Sequence, residues 1–178
     1  MEEWDVYDAS RNLTGRTVRR GMDKLQPGEY HLVVDVWLLD ENNRILIQKR
    51  SCRKKNFPGK WAQSAGGAVI KGEDSFQGCI RETEEELGIV PDMQKAELAT
   101  SFIRHGDTIV DVYVIRQDSL PDKFVLPADE VEDIRWADVN EIENLLQQGQ
   151  FVPTVMEGLQ AALQNNVTFP PEEDVIFD

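Results

Sequence analysis

The chain has 178 residues, 40% of them apolar, with four Trp and seven Phe, which suffices for one domain with a core and argues against wholesale disorder. Its net charge of −14 opposes binding to polymeric DNA or RNA, which normally requires a basic surface. No apolar run approaches the ~18 residues needed to cross a bilayer, and the acidic start lacks the features of a signal peptide. We therefore expect a cytoplasmic protein without nucleic-acid polymers or membranes as partners, in which Cys52 and Cys79 are free thiols.

The first 28 residues are predicted to form a β-hairpin-like extension. Short strands are expected at 3–8 and 16–20, with a turn at 12–15 (Asn-Leu-Thr-Gly) between them. The Gln-Pro-Gly sequence at 26–28 then interrupts the chain and separates the extension from the remaining residues.

The strongest β-strand signal covers residues 30–39, which are rich in β-branched and aromatic side chains. A turn is predicted at 40–43, and residues 44–50 follow as the antiparallel partner strand. Later predicted elements are strands at 96–104, 108–115 and 131–136, a helix at 139–148 capped by Asp138, a helix at 154–164 opened by Pro153, and an acidic tail at 166–178. Together they predict a single α+β domain over residues 1–178 with a mixed sheet and few helices.

The segment before and within a predicted helix at 75–87 is the most informative part of the chain. Asp74 or Ser75 can cap the start of this helix, and Gly88 is well placed to end it. The Gly66-Gly67 pair precedes it, and glycine there lets the backbone approach a ligand closely.

Three carboxylates of this helix share one face, because Glu82, Glu85 and Glu86 lie at positions i, i+3 and i+4. Like charges on adjacent turns repel one another, and a bound hard cation offsets that repulsion because it attracts each carboxylate. Mg²⁺ and Mn²⁺ prefer such oxygen ligands. The alternative is a solvated acidic helix face, which is what such charge runs usually are.

The whole segment resembles the Nudix box, Gly-x5-Glu-x7-Arg-Glu-(apolar)-x-Glu-Glu-x-Gly-(apolar). One departure is Thr83, which stands at an apolar position where its methyl group can still pack. The match is specific enough that chance coincidence is rare. The positions that fit are Gly67, Glu73, Arg81, Glu82, Glu85, Glu86, Gly88 and Ile89.

The Nudix resemblance implies a mixed sheet sandwiched between helices, an α/β/α arrangement, and a Mg²⁺- or Mn²⁺-dependent hydrolase of small diphosphate compounds. Glu73 and Arg81 correspond to the internal ion pair of the family, which is structural. Dimers are common among Nudix proteins, which leaves a homodimer open. The implied metal ligands are the backbone carbonyl of Gly66 and the carboxylates of Glu82, Glu85 and Glu86.

The catalytic water needs a carboxylate to orient or deprotonate it, and the candidates are Glu85, Glu86 and Glu130. Glu130 is chosen because many family members carry a further acid six residues before a Trp, here Trp136. It would act as the general base or help bind a second metal ion. The alternative is that Glu130 is an exposed loop acid.

The stretch from Tyr30 to Trp61 resembles isopentenyl-diphosphate isomerase and its hydrolase-like relatives within the Nudix superfamily. By that resemblance, Arg50 and Lys55 are the expected contacts to the substrate diphosphate. Arg53 and Lys54, in the same cluster of positive charges, are expected to be plain surface residues.

Two alternatives to hydrolysis are an isomerase and a non-catalytic diphosphate-binding module. The isomerase reaction uses a Cys and a His where this chain has Gly66 and Ala68, which argues against it. A binding module would be expected to lose box carboxylates, and none is lost here. Nucleoside diphosphates and triphosphates, nucleotide sugars and isoprenoid diphosphates all stay open as substrates, because the box does not encode the substrate pocket.

Overall fold

The computed structural model describes residues 2–117 and 126–165, so the predicted acidic tail at 166–178 lies outside the described residues. Within them, no helix has the length and apolar character needed to cross a membrane. The strands are β1 (Glu3–Tyr7), β2 (Leu13–Arg19), β3 (His31–Leu39), β4 (Ile45–Arg50), β5 (Trp61–Ala62), β6 (Ala65–Ala68), β7 (Ala96–Arg104), β8 (Thr108–Arg116) and β9 (Val131–Ala137). The helices are α1 (Ser75–Leu87), α2 (Val139–Gln147) and α3 (Met156–Asn165), with 3-10 turns at Met93–Lys95 and Pro153–Val155.

A seven-stranded mixed sheet forms the centre of the molecule. β3 pairs in parallel with β8, and the other pairs in this sheet are antiparallel. β3 and β4 are antiparallel partners, as predicted, and they pair at Leu39 and Ile45, beside their turn. Beyond that point β6 lies against β3 and β9 against β4. The divergence puts the glycines of β6 next to the middle of the central strand.

Alternating side chains of β3 enter two separate hydrophobic clusters, one on each face of the sheet. Val34, Val36 and Leu38 belong to the cluster that includes Leu87 of α1. Trp37 and Leu39 belong to the cluster that includes Ile142 of α2 and Leu159 of α3. The expected α+β arrangement, with a mixed sheet between helices, is therefore confirmed.

The N-terminal segment forms a separate two-stranded antiparallel sheet, β1–β2. The turn predicted at 12–15 is wrong, because residues 13–15 already belong to β2 and the chain reverses just before Asn12. The Asp8 carboxylate accepts hydrogen bonds from the backbone N–H groups of Ser10 and Asn12, at 2.8 and 3.0 Å, and Arg11 takes a positive φ of 65°. An Asx-type turn at Asp8 thus replaces the predicted glycine turn.

Helix α1 has the predicted bounds, 75–87, and both of its ends are capped. The Asp74 carboxylate accepts the backbone N–H of Gln77 at 2.8 Å, and the Gln77 side chain accepts the backbone N–H of Asp74 at 2.9 Å. Gly88 ends the helix in the left-handed conformation, at φ 66°. These caps fix the helix register, and with it the direction in which its glutamates point.

Candidate active site

A cavity of about 410 Å³ lies beside α1, and we call it the carboxylate cavity. It is bounded by the box helix, by strand β6, by two residues of the N-terminal segment and by two residues of the loops that follow β4 and precede β9. The residues that line it are Glu2, Arg20, Lys54, Gly66, Gly67, Ala68, Ile70, Arg81, Glu82, Glu85, Glu86 and Glu130. The three box glutamates therefore share one cavity with Gly66 and Glu130.

Glu86 is the most deeply buried of the three box glutamates, with 6% of its surface exposed. Its carboxylate accepts a hydrogen bond from Gln48 Nε2 at 2.7 Å and one from the backbone N–H of Gly66 at 3.1 Å. Burial and the negative charge of Glu82 raise the pKa of Glu86 to about 7, against these two hydrogen bonds. Gln48 is itself buried in β4, and nothing in the sequence pattern singled it out.

Arg81 joins the loop before α1 to two of the box glutamates. Its Nε lies 3.0 Å from Glu73 Oε1, and its Nη1 lies 2.8 Å from Glu82 Oε1 and 3.1 Å from Glu85 Oε2. Its Nη2 donates to the carbonyl of Ala68 at 2.8 Å. Burial alone would lower the pKa of Arg81, but Glu73 and Glu82 outweigh it and raise that pKa, so the guanidinium stays charged. Burial raises the pKa of Glu82, and Arg81 opposes that rise.

The two glycines of β6 are needed because other groups approach their backbone closely. A Cβ on Gly67 would lie 2.4 Å from the carboxylate of Glu82. A Cβ on Gly66 would lie 2.6 Å from the carbonyl of Val34 and 2.8 Å from Gln63 Nε2. Gly67 therefore leaves room for the Glu82 side chain of α1, and Gly66 leaves room for the neighbouring strand β3 and for Gln63.

The donors in the carboxylate cavity fit a hard divalent cation in their chemistry, since they are carboxylate and carbonyl oxygens. Over residues 2–117 and 126–165, however, no three His, Cys, Asp or Glu side chains are arranged so that they could hold a metal ion. Arg81 accounts for part of this, because it binds Glu82 and Glu85. Glu85 is 60% exposed, which leaves its side chain room to turn from Arg81 toward an ion.

The positively charged residues at positions 53–55 differ in how exposed they are and in whether they line the carboxylate cavity. Lys54 lines the carboxylate cavity, is only 23% exposed and forms an ion pair with Glu130, so it is not the plain surface residue expected. Arg53 is 73% exposed and pairs with Asp129. Lys55 is exposed and lines neither this cavity nor its neighbour.

A second cavity of about 310 Å³ adjoins the first, and we call it the second cavity. The two share four lining residues, which are Arg20, Gly66, Gly67 and Ala68. Arg50 lines the second cavity, where burial lowers its pKa and its Nε donates to the carbonyl of Asn56 at 3.2 Å. Phe57 also lines it and has a positive φ of 51°, a strained backbone conformation for an aromatic residue.

Polar groups are buried in the wall of the second cavity. Asp35, on β3, forms an ion pair with Arg104, on β7, and burial raises the pKa of Asp35 against the effect of that partner. Buried atoms without a hydrogen-bond partner among the described residues include Gln63 Oε1, Arg104 Nε and His31 Nδ1. No sequence pattern indicates that Asp35, Gln63 and Arg104 meet, because they come from separate strands and loops.

The two positions that argue against isomerase chemistry both border the two cavities. Gly66 has no room for a side chain, and Ala68 offers only a methyl group. Neither cysteine lines either cavity, since Cys52 is exposed elsewhere and Cys79 is buried in the core on α1. Burial raises the pKa of the Cys79 thiol to about 12, which keeps it protonated and unreactive.

Curated relatives of the chain fall into two groups. An uncharacterised Nudix hydrolase of Listeria monocytogenes is 40% identical over 153 residues, which is 86% of this chain and 89% of the relative. An isopentenyl-diphosphate Delta-isomerase of Streptomyces griseus is 38% identical over only 81 residues, 46% of this chain and 41% of the relative. The resemblance to hydrolases thus extends over most of both chains, whereas that to isomerases is partial.

Solved structures show the same fold. The crystal structure of a protein from Deinococcus radiodurans superposes with a TM-score of 0.74, covering 89% of this chain and 96% of that one, at 21% identity. The NUDIX domain family matches residues 29–157. That range contains the sheet, the box helix and its carboxylates, so the chain belongs to the Nudix hydrolase family.

Proposed function

We propose that this protein hydrolyses a diphosphate linkage in a small molecule, with Mg²⁺ or Mn²⁺ as its cofactor. The substrate is a nucleoside diphosphate linked to a further moiety, or a related diphosphate. The observation that carries the proposal is the set of three carboxylates on one cavity wall, with Glu86 buried and its pKa raised to about 7. A buried carboxylate such as that of Glu86 is costly in its charged form without a compensating cation, which favours a metal site over a solvated helix face.

The proposed metal ligands are Glu82, Glu85, Glu86 and the carbonyl of Gly66. When bound, the ion neutralises phosphate oxygens and polarises a water. Glu85 and Glu86 are candidates to orient that water, since both line the cavity. Gln48 and the Gly66 N–H supply hydrogen bonds that hold the Glu86 carboxylate in a fixed direction.

Glu130 is the proposed general base, or a ligand of a second ion. What supports this is that it lines the same cavity from a different part of the chain. In the free protein its carboxylate forms an ion pair with Lys54, which lines the same cavity. Arg50 and Lys55 are the proposed contacts to the diphosphate, and Arg50 is supported by its position on the second cavity.

Chromatographic detection of the monophosphate, phosphate or diphosphate products tests the proposal. The purified chain is incubated with Mg²⁺ and a panel of nucleoside diphosphates and triphosphates, nucleotide sugars and isopentenyl diphosphate, with and without EDTA. We expect EDTA-sensitive hydrolysis of at least one compound. Alkene isomerisation of isopentenyl diphosphate without hydrolysis would replace the proposal by an isomerase, and binding without turnover of any compound would replace it by a binding module.

A further inference from the structure

Both cavities are completed by residues of the N-terminal hairpin, which lies outside the range matched by the NUDIX domain family, 29–157. Glu2 lines the carboxylate cavity, Trp4 lines the second cavity, and Arg20 lines both. Arg20 follows directly after β2. The hairpin is therefore part of the wall of the site, and Arg20 is at the junction of its two halves.

Contacts with the central sheet hold the hairpin firmly in this position. Tyr7 and Tyr30 exchange two backbone hydrogen bonds, of 2.8 and 2.9 Å. At the far end of the hairpin, the guanidinium of Arg11 donates to both oxygens of the buried Asp111 of β8, at 2.6 and 2.7 Å. Paired Arg–carboxylate bonds of this kind fix orientation as well as distance.

The hairpin is also attached beside the cavities themselves. The Trp4 ring stacks on the His31 ring, with centroids 4.4 Å apart and planes 14° from parallel. The Asp5 carboxylate accepts the backbone N–H of Gly72, in the loop between β6 and the box helix, at 2.7 Å. The hairpin that carries Arg20 is thus hydrogen-bonded to the loop between β6 and α1.

The guanidinium of Arg20 is held by a contact that a stronger acceptor can replace. Its Nη1 donates to the Glu2 carboxylate at 2.8 Å, while its side chain stays 62% exposed. Exposed ion pairs contribute little to stability, so exchange of this partner is easy. The backbone N–H of Arg20 separately donates to the carbonyl of Glu2 at 3.0 Å and keeps the strand end in place.

Three cations gather at this junction, although the chain has a net charge of −14. Arg20 lines both cavities, Lys54 the carboxylate cavity and Arg50 the second cavity. Burial lowers the pKa of Lys54; Glu86 opposes this, and the positive charges of Arg50 and Arg20 lower that pKa further. In the free protein Arg20 pairs with Glu2 and Lys54 with Glu130, and an anion that binds between the three cations would take the place of these carboxylates.

We propose that Arg20 of the N-terminal hairpin, together with Arg50 and Lys54, binds the diphosphate oxygens of the substrate where the two cavities meet. The planar guanidinium of Arg20 suits bidentate binding of a phosphate group. In the free protein the Arg20 guanidinium is paired with the Glu2 carboxylate, and the substrate diphosphate replaces Glu2 as its partner. This inference rests on the proposed function for the nature of the ligand, and it adds a substrate-binding residue from outside the range that the NUDIX domain family matches.

Binding of methylenediphosphonate, a diphosphate that cannot be hydrolysed at its bridge, tests the inference by isothermal titration calorimetry in Mg²⁺. We expect Arg20→Ala to weaken binding by about tenfold or more, the size of a lost charge-assisted hydrogen bond. Arg20→Lys should recover part of the loss, because it restores charge without the planar fork. Arg19→Ala is the matched control: Arg19 is the neighbouring exposed arginine, pairs with Asp23 and lines neither cavity, so binding should stay within about twofold.

Glu2→Gln separates phosphate binding from a structural role of the ion pair, because it removes the negative charge of the partner without removing Arg20. Binding that is unchanged or tighter supports the inference. Loss of binding equal to that of Arg20→Ala, wild-type binding by Arg20→Ala, or absence of binding by the wild type would each overturn it. If binding depends on Arg20 but no diphosphate is hydrolysed by the wild type, the proposed function fails and the inference survives.

Discussion

The carboxylate cavity and the second cavity share one border and are built in opposite ways. The first draws its acidic groups mainly from one helix, and Glu82, Glu85 and Glu86 lie within five consecutive residues. The second draws its buried polar groups from distant parts of the chain, such as Asp35 on β3 and Arg104 on β7. A local motif can therefore carry the proposed chemistry, while the wall of the second cavity depends on how separate strands come together.

The largest expected effect concerns the carboxylate cavity. Glu86→Gln or Glu85→Gln should lower Mg²⁺-dependent hydrolysis by at least about 10²-fold, because each removes a charged oxygen ligand or base. Circular dichroism should show an intact fold. Glu84→Gln, an exposed neighbour on the same helix, is the control and should keep wild-type rates. Wild-type rates in both test variants would rule out the proposed metal site.

Substitutions in the wall of the second cavity should lower the free energy of unfolding more than they lower the rate of hydrolysis. Arg104→Met leaves the Asp35 carboxyl buried without its cation, which should cost about 3 kcal/mol of unfolding free energy at pH 8. Urea denaturation measures it. Adding Asp35→Asn should restore part of the loss, since the buried charge is then gone. A cost below about 1 kcal/mol would mean that the pair does not support this wall.

The pKa of Glu86 predicts how stability depends on pH in the metal-free protein. Below its ordinary value of 4.5 the carboxyl is protonated in both the folded and the unfolded chain. Between 4.5 and about 7 only the folded chain keeps the proton, so the unfolding free energy falls as pH rises, by on the order of 3 kcal/mol in total.

Urea denaturation between pH 4.5 and 8 checks this pH dependence. Glu86→Gln should lack that part of the decline and should be the more stable protein at pH 8. Mg²⁺ should stabilise the wild type more at pH 8 than at pH 5, because the ion binds the ionised carboxylate. Parallel pH curves for the two proteins would contradict the burial argument.

The smallest expected effect is at the ion pair of Glu73 and Arg81, beside the carboxylate cavity. Glu73→Gln should cost about 1–2 kcal/mol, because the pair is mostly buried and charge-assisted. It should also weaken the dependence of activity on Mg²⁺, since Arg81 orients Glu82 and Glu85. A thermal melt and a Mg²⁺ titration indistinguishable from wild type would show that the pair is dispensable.

Secondary structure is predictable where local chemistry is strong. The bounds of helix α1 follow from the sequence, because an Asp cap and a Gly terminator lie next to its ends. The predicted hairpin turn is misplaced, because Asp8 binds backbone N–H groups and reverses the chain before the expected glycine. The antiparallel partnership of β3 and β4 is confirmed, but the sequence did not indicate that β6 pairs with β3 beyond their turn.

The residues of the candidate site also divide into those that a local pattern predicts and those that only long-range packing brings together. The roles of Gly66, Glu73 and Arg81 follow from the Nudix resemblance. The shared face of Glu82, Glu85 and Glu86 could be predicted from their spacing, because an α-helix places positions i, i+3 and i+4 on one side. Gln48, Lys54 and Arg20 could not, because each reaches the site through strand pairing or hairpin packing rather than through a motif. Lys55, chosen by resemblance, lies exposed away from both cavities, whereas its neighbour Lys54 lines one of them.

The sequence alone determined the family, the helix that carries the carboxylates and the glycines that admit it, because these depend on residues close together in the chain. Only the tertiary structure decided how deeply Glu86 is buried, which cations face it and that the N-terminal hairpin closes the site. Burial and long-range charge depend on which distant segments pack together. Local periodicity does not specify that, and here it is the packing of β1–β2 against the central sheet that brings Arg20 to the junction of the two cavities.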